Sequence, residues 1–242
     1  MKKFLFVCAV NAVAAGVFAQ GTVISANGPG TLFRTNSLAD FGTAGNIAPT
    51  PGGFYFEVLT APSTVTSVDS SLQGLLSAPW SDTGLRMTNA TTILTGGRVN
   101  GPSFAGGVVN NWPVFQINSF IVVGWSANQG TTWAQVASEL QGASFRTDAL
   151  GSHFEGPLLA SGGFIGATTI QQGAAGEADG STAFSLFGFL PNAQGTPITT
   201  PTDLYIIFIP EPSAVAFAGV AMAIFVLRRR RLSANLTSQV PR

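Results

Sequence analysis

An uncharged apolar run that ends in consecutive arginines divides this chain into two very different parts. The run covers 14 residues, 214–227, and four arginines follow it at once. A buried core helix is disfavoured, because the arginines at its end must stay solvated. Residues 213–227 are fewer than the roughly 20 that usually span a bilayer. Arginine side chains that snorkel to the headgroups make up the difference, so we predict a transmembrane helix here with cytoplasmic arginines.

A rigid, extended segment lies directly before this helix. It consists of Pro210, Glu211 and Pro212. Each proline restricts φ, lacks a backbone N–H and favours extended geometry in the residue before it. A membrane-embedded protease or transpeptidase can grip an extended segment just outside the bilayer. We therefore interpret the segment as a recognition site for such an enzyme.

The chain end resembles the PEP-CTERM sorting signal in the order of its three parts: Pro-Glu-Pro, apolar helix and arginine cluster. The residues that carry the resemblance are Pro210, Glu211, Pro212, the run 213–227, and Arg228, Arg229, Arg230 and Arg231. The resemblance implies recognition by exosortase, a multi-pass membrane cysteine transpeptidase, and removal of the tail near the motif. It also implies a bacterial host that makes extracellular polysaccharide. Residues 232–242 extend past the usual end of such chains, and we expect a polar cytoplasmic tail.

The N-terminus has the three parts of a secretory signal peptide. Two lysines come first, a mostly apolar stretch follows up to residue 18, and Ala19 stands before Gln20. We predict a signal peptide over residues 1–19, with cleavage between Ala19 and Gln20. Cys8 is the only cysteine and lies inside this segment, so the mature protein has no disulfide, zinc-thiolate site or cysteine nucleophile.

A predicted ectodomain, residues 20–209, lies between the two targeting segments. It is long enough for one domain with a substantial core. It contains four arginines, ten acidic residues and no lysine, which gives a net charge of −6. Because nucleic-acid binding requires a basic surface, this composition excludes DNA and RNA as expected partners.

Short β-branched and aromatic runs, separated by glycine pairs, favour an all-β ectodomain. Many short strands of this kind are typical of a sandwich, and we predict a jelly-roll-like β-sandwich. The predicted strands are residues 22–25, 32–34, 54–59, 64–68, 91–94, 114–118, 120–125, 164–170, 183–190 and 203–209. The last of these strands leads directly into the sorting motif.

One short helix is predicted over residues 133–141. Thr132 and Gln135 have the spacing of a capping box, and Gly142 provides a stop. The helix follows the most apolar predicted strand, so we expect the two to pack together. Tryptophans 125 and 133 are then expected in the core rather than on a ligand platform.

His153 is the only histidine in the chain. A serine–histidine–carboxylate set requires its three groups to meet in space, but neighbouring residues of a strand point to opposite faces. Ser152 is therefore not a partner for His153, and no Gly-x-Ser-x-Gly turn supplies another nucleophile. His153 and Glu155 share a strand face, and we expect a surface contact between them.

No two acidic residues stand out as a catalytic pair. A glycosidase needs two carboxyl groups about 5–10 Å apart in a cleft. The candidates are Glu139, Asp148, Glu155, Glu177 and Asp179. Their spacing marks no pair, and residues 177–180 resemble only a fragment of a calcium loop, which favours a solvated loop. We expect no catalytic residue, no enzyme activity, no cofactor and no metal site.

Three functions remain open at the level of sequence. By resemblance, the protein is exported across the inner membrane, anchored transiently, and released as a structural or adhesive component of the cell surface or a polysaccharide matrix. The alternative is a carbohydrate-binding module in which Trp80, Trp112 or Tyr55 stacks on sugars. Two or three of these rings on one open face favour binding, whereas their burial favours the structural role. A secreted hydrolase ranks third and requires two acids that converge in a pocket.

Overall fold

The computed structural model describes residues 20–36, 45–92, 96–101, 106–188 and 194–209. In these ranges the protein is all-β, as predicted, with one short α-helix, α1, Trp133–Leu140. The strands are β1 Gly21–Ile24, β2 Phe33–Thr35, β3 Gly45–Asn46, β4 Phe54–Pro62, β5 Ser81–Asn89, β6 Val99–Asn100, β7 Gly107–Val109, β8 Ile117–Ser126, β9 Ser144–Asp148, β10 Gly151–Glu155, β11 Phe164–Ala167, β12 Gln171–Ala174, β13 Phe184–Ser185, β14 Gly195–Thr196 and β15 Thr202–Ile206. Short 3₁₀ helices occupy Pro29–Thr31, Gln73–Leu76 and Ala127–Gln129. The predicted signal peptide and transmembrane helix lie outside the described residues.

Strand β8 is the centre of the main sheet. It pairs with β4 over nine residues, from Phe54 opposite Ser126 to Pro62 opposite Asn118. On its other side it pairs with β11 and β12. In the described ranges this sheet has the strand order β3-β2-β15-β11-β8-β4-β5-β6, with β12 and β14 attached beside β8. A three-stranded sheet, β13-β1-β7, and the hairpin β9–β10 complete the strand pairing.

Both faces of β8 are buried, which explains its nearly continuous apolar sequence. Alternate side chains of the strand enter two separate hydrophobic cores. The sheet-side core contains residues of β8 and of the region of the three-stranded sheet: Phe120, Val122, Val23, Val109, Trp112 and Phe184. The helix-side core contains residues of β8, α1 and the hairpin: Ile121, Val123, Trp125, Trp133, Val136, Leu140 and Phe154.

Helix α1 confirms the capping-box prediction. Thr132 Oγ1 accepts a hydrogen bond from the Gln135 N–H at 3.3 Å, and Gln135 Oε1 accepts one from the Thr132 N–H at 3.2 Å. The helix ends one residue earlier than predicted, and Gly142 follows with φ +74°. The rings of Trp125 and Trp133 lie 6.2 Å apart and both are buried. These two tryptophans are core residues, as predicted.

Two predicted strands are not found. Residues 64–68 form a turn and a loop, because β4 itself continues to Pro62 in register with β8. Thr91 and Thr92 belong to no strand, and the rest of that predicted strand lies outside the described residues. The strand of this region is β5, whose alternating polar and apolar residues are interrupted by a glycine.

Other predicted strands have different limits. The predicted strands 114–118 and 120–125 are replaced by the single strand β8, and Val114 forms only an isolated bridge with Ala175. Strands β11 and β13 are shorter than predicted, and β15 ends at Ile206 rather than at residue 209. Apolar residues continue past the ends of these strands, where only single hydrogen bonds or isolated bridges, such as that of Ile207 with Phe154, replace the ladder.

A bulge in β5 shapes the surroundings of one buried acid. Between the pair Glu57–Arg86 and the pair Leu59–Asp82, β4 advances by two residues and β5 by four. Gly84 lies in this stretch with φ +71°, a conformation that glycine adopts easily. As a result, Glu57 interacts with both Asp82 and Arg86.

Candidate functional site

The fold holds the backbone almost as far as the predicted sorting motif. After β15, two hydrogen bonds continue the anchoring, from the Ile207 N–H to the Gly163 carbonyl at 2.7 Å and from the Phe208 N–H to the Phe154 carbonyl at 2.8 Å. In the sequence, only Ile209 separates Phe208 from Pro210. A motif at this position has almost no linker between itself and the folded unit.

The sorting residues themselves lie outside the described residues. They are Pro210, Glu211, Pro212, Arg228, Arg229, Arg230 and Arg231, and Ala19 at the N-terminal side is outside as well. Gln20 is described, and its Nε2 donates to Asn110 Oδ1 at 2.7 Å. Within the described ranges, the helices are too short or too polar to cross a bilayer.

Ser152 and His153 point to opposite faces of β10, as predicted. The Ser152 hydroxyl contacts the Thr147 hydroxyl across the hairpin at 2.9 Å, on the exposed side. His153 is fully buried on the other side. The two residues therefore do not form a nucleophile–base pair.

The predicted contact between His153 and Glu155 is present. Its predicted place at the surface is wrong, because the histidine is buried. Its Nε2 lies 3.4 Å from Glu155 Oε1, and its Nδ1 lies 3.0 Å from the Gly151 carbonyl oxygen. Arg146 donates to the second oxygen of Glu155 at 2.6 Å. The imidazole also packs edge-on against Phe208, with ring centres 5.8 Å apart. Both ring nitrogens face protein oxygen atoms, so the histidine supports the end of the fold instead of a substrate.

Of the acids considered for catalysis, only Glu177 and Asp179 contact a common residue, and they do so in an exposed turn. Asp148 accepts a hydrogen bond from the Leu150 N–H in the hairpin turn, and Glu155 pairs with an arginine. Asp179 accepts from the Ser181 N–H at 2.9 Å, which lowers its pKa, and Glu177 accepts from the hydroxyl of the same serine. Burial raises the pKa of Glu139 on α1. Among the described residues, no three His, Cys, Asp or Glu side chains are grouped to hold a metal ion.

The aromatic residues considered for sugar stacking are not on one open face. Trp112 is fully buried and stacks on Phe120, with ring centres 5.6 Å apart. Its indole N–H donates to the Gln116 carbonyl at 3.0 Å. Trp80 is also buried, and Tyr55 is partly buried against the helix-side core. By the exposure criterion, these three rings favour the structural role.

The chain matches no protein-family model, no curated protein and no solved structure.

Glu57 is the titratable residue that sequence reasoning missed. Its side chain is fully buried in β4, on the face that also contributes Leu59 to the helix-side core. Arg86 Nε lies 3.4 Å from Glu57 Oε2, whereas Oε1 has no hydrogen-bond partner. The available signal was its position inside a predicted strand of otherwise apolar and aromatic residues, where a carboxyl group becomes buried.

Burial raises the pKa of Glu57 from 4.5 to about 8. The carboxyl of Asp82 contributes to this rise, and the nearby Arg86 guanidinium opposes it only in part. When Glu57 is protonated, its O–H can donate a hydrogen bond to Asp82, which gives the buried carboxyl group a partner. Because Glu57 is fully buried, we assign this pair to pH-dependent stability.

Proposed function

We propose that this protein is exported, anchored transiently by its C-terminal helix, and processed at Pro210–Pro212 for delivery to the cell surface or the extracellular matrix. The observation that carries this proposal is the order of Pro-Glu-Pro, uncharged helix and four arginines at the end of a chain that begins with a signal peptide. The expected processing partner is an exosortase-type membrane transpeptidase. The signal peptidase acts before it, between Ala19 and Gln20.

The arrangement of the folded unit supports a structural or adhesive role. The only histidine is buried with both ring nitrogens directed at oxygen atoms. Asp148 and Glu155 make contacts within the hairpin, and Glu177 and Asp179 both contact Ser181 in an exposed turn. Residues 20–209 include no lysine and have a formal net charge of −6, so polar uncharged side chains provide most of the hydration of the surface. Such a surface suits contact with a hydrated extracellular polysaccharide.

The fold also supports a more specific class for the ectodomain, a jelly-roll-like β-sandwich. The supporting observation is that the three-stranded sheet β13-β1-β7 and the main sheet share the sheet-side core. An experimental structure tests this class through its strand connections. Greek-key connections between the two layers agree with it, and strands that simply follow one another up and down contradict it.

Replacement of the motif tests the proposed processing. In a bacterium that has an exosortase-type enzyme, we expect the wild-type chain to appear shortened in the extracellular fraction. A chain that combines Pro210→Ala, Glu211→Ala and Pro212→Ala is expected to remain at full length in the membrane fraction. Pro201→Ala, at an exposed position before β15, is the matched control and is expected to be processed normally. Equal processing of the triple variant and the wild type contradicts the proposal.

A further inference from the structure

A groove with uncharged walls lies beside the end of the sheet-side core. Its volume is about 230 Å³, and nine residues line it, among them Thr60, Asn111, Gln116 and Asn118. Five of the nine are hydroxyl or amide side chains, three are prolines, and none is charged. The walls therefore combine neutral hydrogen-bonding groups with apolar surface.

The groove begins where the packing of Trp112 on the main sheet ends. Asn118 lies two residues before Phe120 on β8, so both side chains point to the same face of the sheet. Trp112 stacks on Phe120 and closes the core there. Asn118, opposite Pro62 at the end of the β4–β8 pairing, lines the groove instead. Asn118 is thus a polar residue at the boundary between the core and an open cavity.

Asn118 carries a buried acceptor without a donor. The residue is only 5 % exposed, and its Oδ1 has no hydrogen-bond partner. The orientation of the amide is determined by Thr60, whose hydroxyl donates to the Ser119 carbonyl and can therefore only accept from Asn118 Nδ2, at 3.2 Å. An acceptor of this kind is unfavourable until a donor reaches it.

Phe115 adds an exposed aromatic ring to the segment that forms one wall. It stands between the lining residues Pro113 and Gln116, is 58 % exposed, and has φ +60°. Bulky side chains rarely adopt this left-handed backbone conformation, and such outliers concentrate at functional sites. Its N–H donates to the Ala175 carbonyl at 2.8 Å, which holds the strained backbone in place. Neither packing nor local geometry explains a phenylalanine at this position.

We propose that this groove binds one unit of a neutral polysaccharide chain. A sugar hydroxyl donates to Asn118 Oδ1, the amides of Asn111 and Gln116 bind further hydroxyls, and the Phe115 ring stacks on the apolar face of a neighbouring sugar. The groove is smaller than the roughly 300–1,000 Å³ of typical ligand sites, which suits one unit of a chain that continues over the surface. The uncharged walls and the net charge of −6 disfavour an anionic chain.

A peptide fits this groove less well than a sugar does. At Asn118, β8 is paired with β4 on one side and with β12 on the other. No backbone edge of β8 is free there for an added strand, so recognition depends on the side-chain hydroxyls and amides. The inference rests on the proposed function in one respect only: export to the cell surface or the matrix is what brings the protein to a polysaccharide. The binding itself belongs to residues 60–118 and can be measured without any processing of the chain end.

Titration calorimetry with neutral oligosaccharides tests this inference. The full chain is purified in a polyoxyethylene detergent, because maltoside headgroups compete for the same groove. The probes are hexamers of β-1,4-glucan, α-1,4-glucan and β-1,4-mannan, with a galacturonate hexamer as the anionic comparison and a proline-rich peptide as the peptide comparison. We expect saturable binding of at least one neutral hexamer below about 1 mM and much weaker binding of the other two classes.

Three variants connect such binding to the groove. Asn118→Leu removes the acceptor, and Phe115→Asn removes the ring while placing a residue that tolerates positive φ. Each is expected to weaken binding at least about tenfold. Phe115→Asn is also expected to unfold at the same temperature as the wild type or a higher one, which separates binding from folding. Asn100→Leu, an exposed asparagine on β6 outside the groove, is the matched control and is expected to bind normally.

Several results overturn the inference. One is the absence of binding of every neutral hexamer at about 1 mM. Another is binding that Phe115→Asn leaves unchanged, and a third is binding of the peptide in place of the sugars. If Asn118→Leu does not fold, Gln116→Ala replaces it, because Gln116 lines the groove and the variant keeps the backbone carbonyl that accepts from Trp112. None of these outcomes changes where the chain is cut, so the proposed sorting is judged separately.

Discussion

Glu57 shows how a single buried carboxyl group connects the stability of this fold to pH. In the unfolded chain Glu57 has its ordinary pKa of 4.5, whereas burial raises the pKa to about 8 in the folded protein. Between these values the folded protein keeps a proton that the unfolded chain releases. The stabilisation is therefore complete below pH 4.5 and is lost as the pH rises to about 8.

Glu57→Gln is expected to remove this pH dependence. Glutamine has nearly the same shape as glutamate, and its amide N–H can donate to Asp82 at any pH because the amide does not titrate. Between about pH 5 and pH 8, the free energy of unfolding of the wild type is expected to fall by a few kcal/mol relative to that of the variant. Urea unfolding at a series of pH values measures both curves. Parallel curves contradict the assigned protonation of Glu57.

Trp112 is expected to act through packing, since it is fully buried and stacked on Phe120. Trp112→Ala is expected to lower the free energy of unfolding by about 3–5 kcal/mol, because it leaves a cavity in the sheet-side core. Trp112→Phe keeps a stacked ring but loses the hydrogen bond to the Gln116 carbonyl, so a smaller loss is expected. Urea unfolding is the measurement. A Trp112→Ala protein as stable as the wild type contradicts the packing of this core.

At the scale of single elements, local information decides what can be predicted. Helix α1 follows from a cap, a helical spacing of apolar residues and a glycine stop, all within 11 residues of sequence, 132–142. Strand β5 was missed because its evidence is not local. The bulge at Gly84 is defined only by the pairing of β5 with β4. Likewise, Asp82 and Arg86 form an electrostatic cluster only because this pairing places them beside Glu57. A single sequence carries no direct record of such pairing.

The cap of α1 provides a test at this scale. Thr132→Ala removes the hydroxyl that accepts from the Gln135 N–H and is expected to cost about 1 kcal/mol of unfolding free energy. Thr131→Ala is the matched control. Thr131 contacts Gln135 mainly through its backbone N–H, and the alanine variant keeps this N–H. Thermal or urea unfolding of both variants measures the difference. Equal stability of the two variants contradicts the capping role.

At the scale of the whole molecule, the sequence is most informative where function depends on order along the chain. The predicted signal peptide, the folded unit, Pro-Glu-Pro, the apolar run and the arginines follow one another along the chain, and this order can be seen without any knowledge of the fold. The groove around Asn118 could not be predicted in this way. Its walls come from three separate stretches, 60–62, 79–81 and 111–118, and its orphan acceptor depends on the hydroxyl of Thr60.

Both hydrophobic cores are built from residues that lie far apart in the sequence. Residues 120–125 were predicted as the most apolar strand, packed against α1, and the structure shows that two different hydrophobic cores cover the two faces of β8. The same tryptophans that suggested sugar binding are needed to fill these cores. In the part of the chain that the structure describes, the large exposed aromatic ring is that of Phe115, which the sequence does not distinguish from the other phenylalanines.

The central claim is that the chain is cut at both ends on its way out of the cell. Mass spectrometry of the two termini, on protein from the extracellular fraction of the bacterium that makes it, tests this claim most directly. We predict a first residue of Gln20 and a last residue within 210–213, and additional mass on the new C-terminus would identify attachment to another molecule. A chain that ends at Arg242 and is found only in the inner-membrane fraction contradicts the claim.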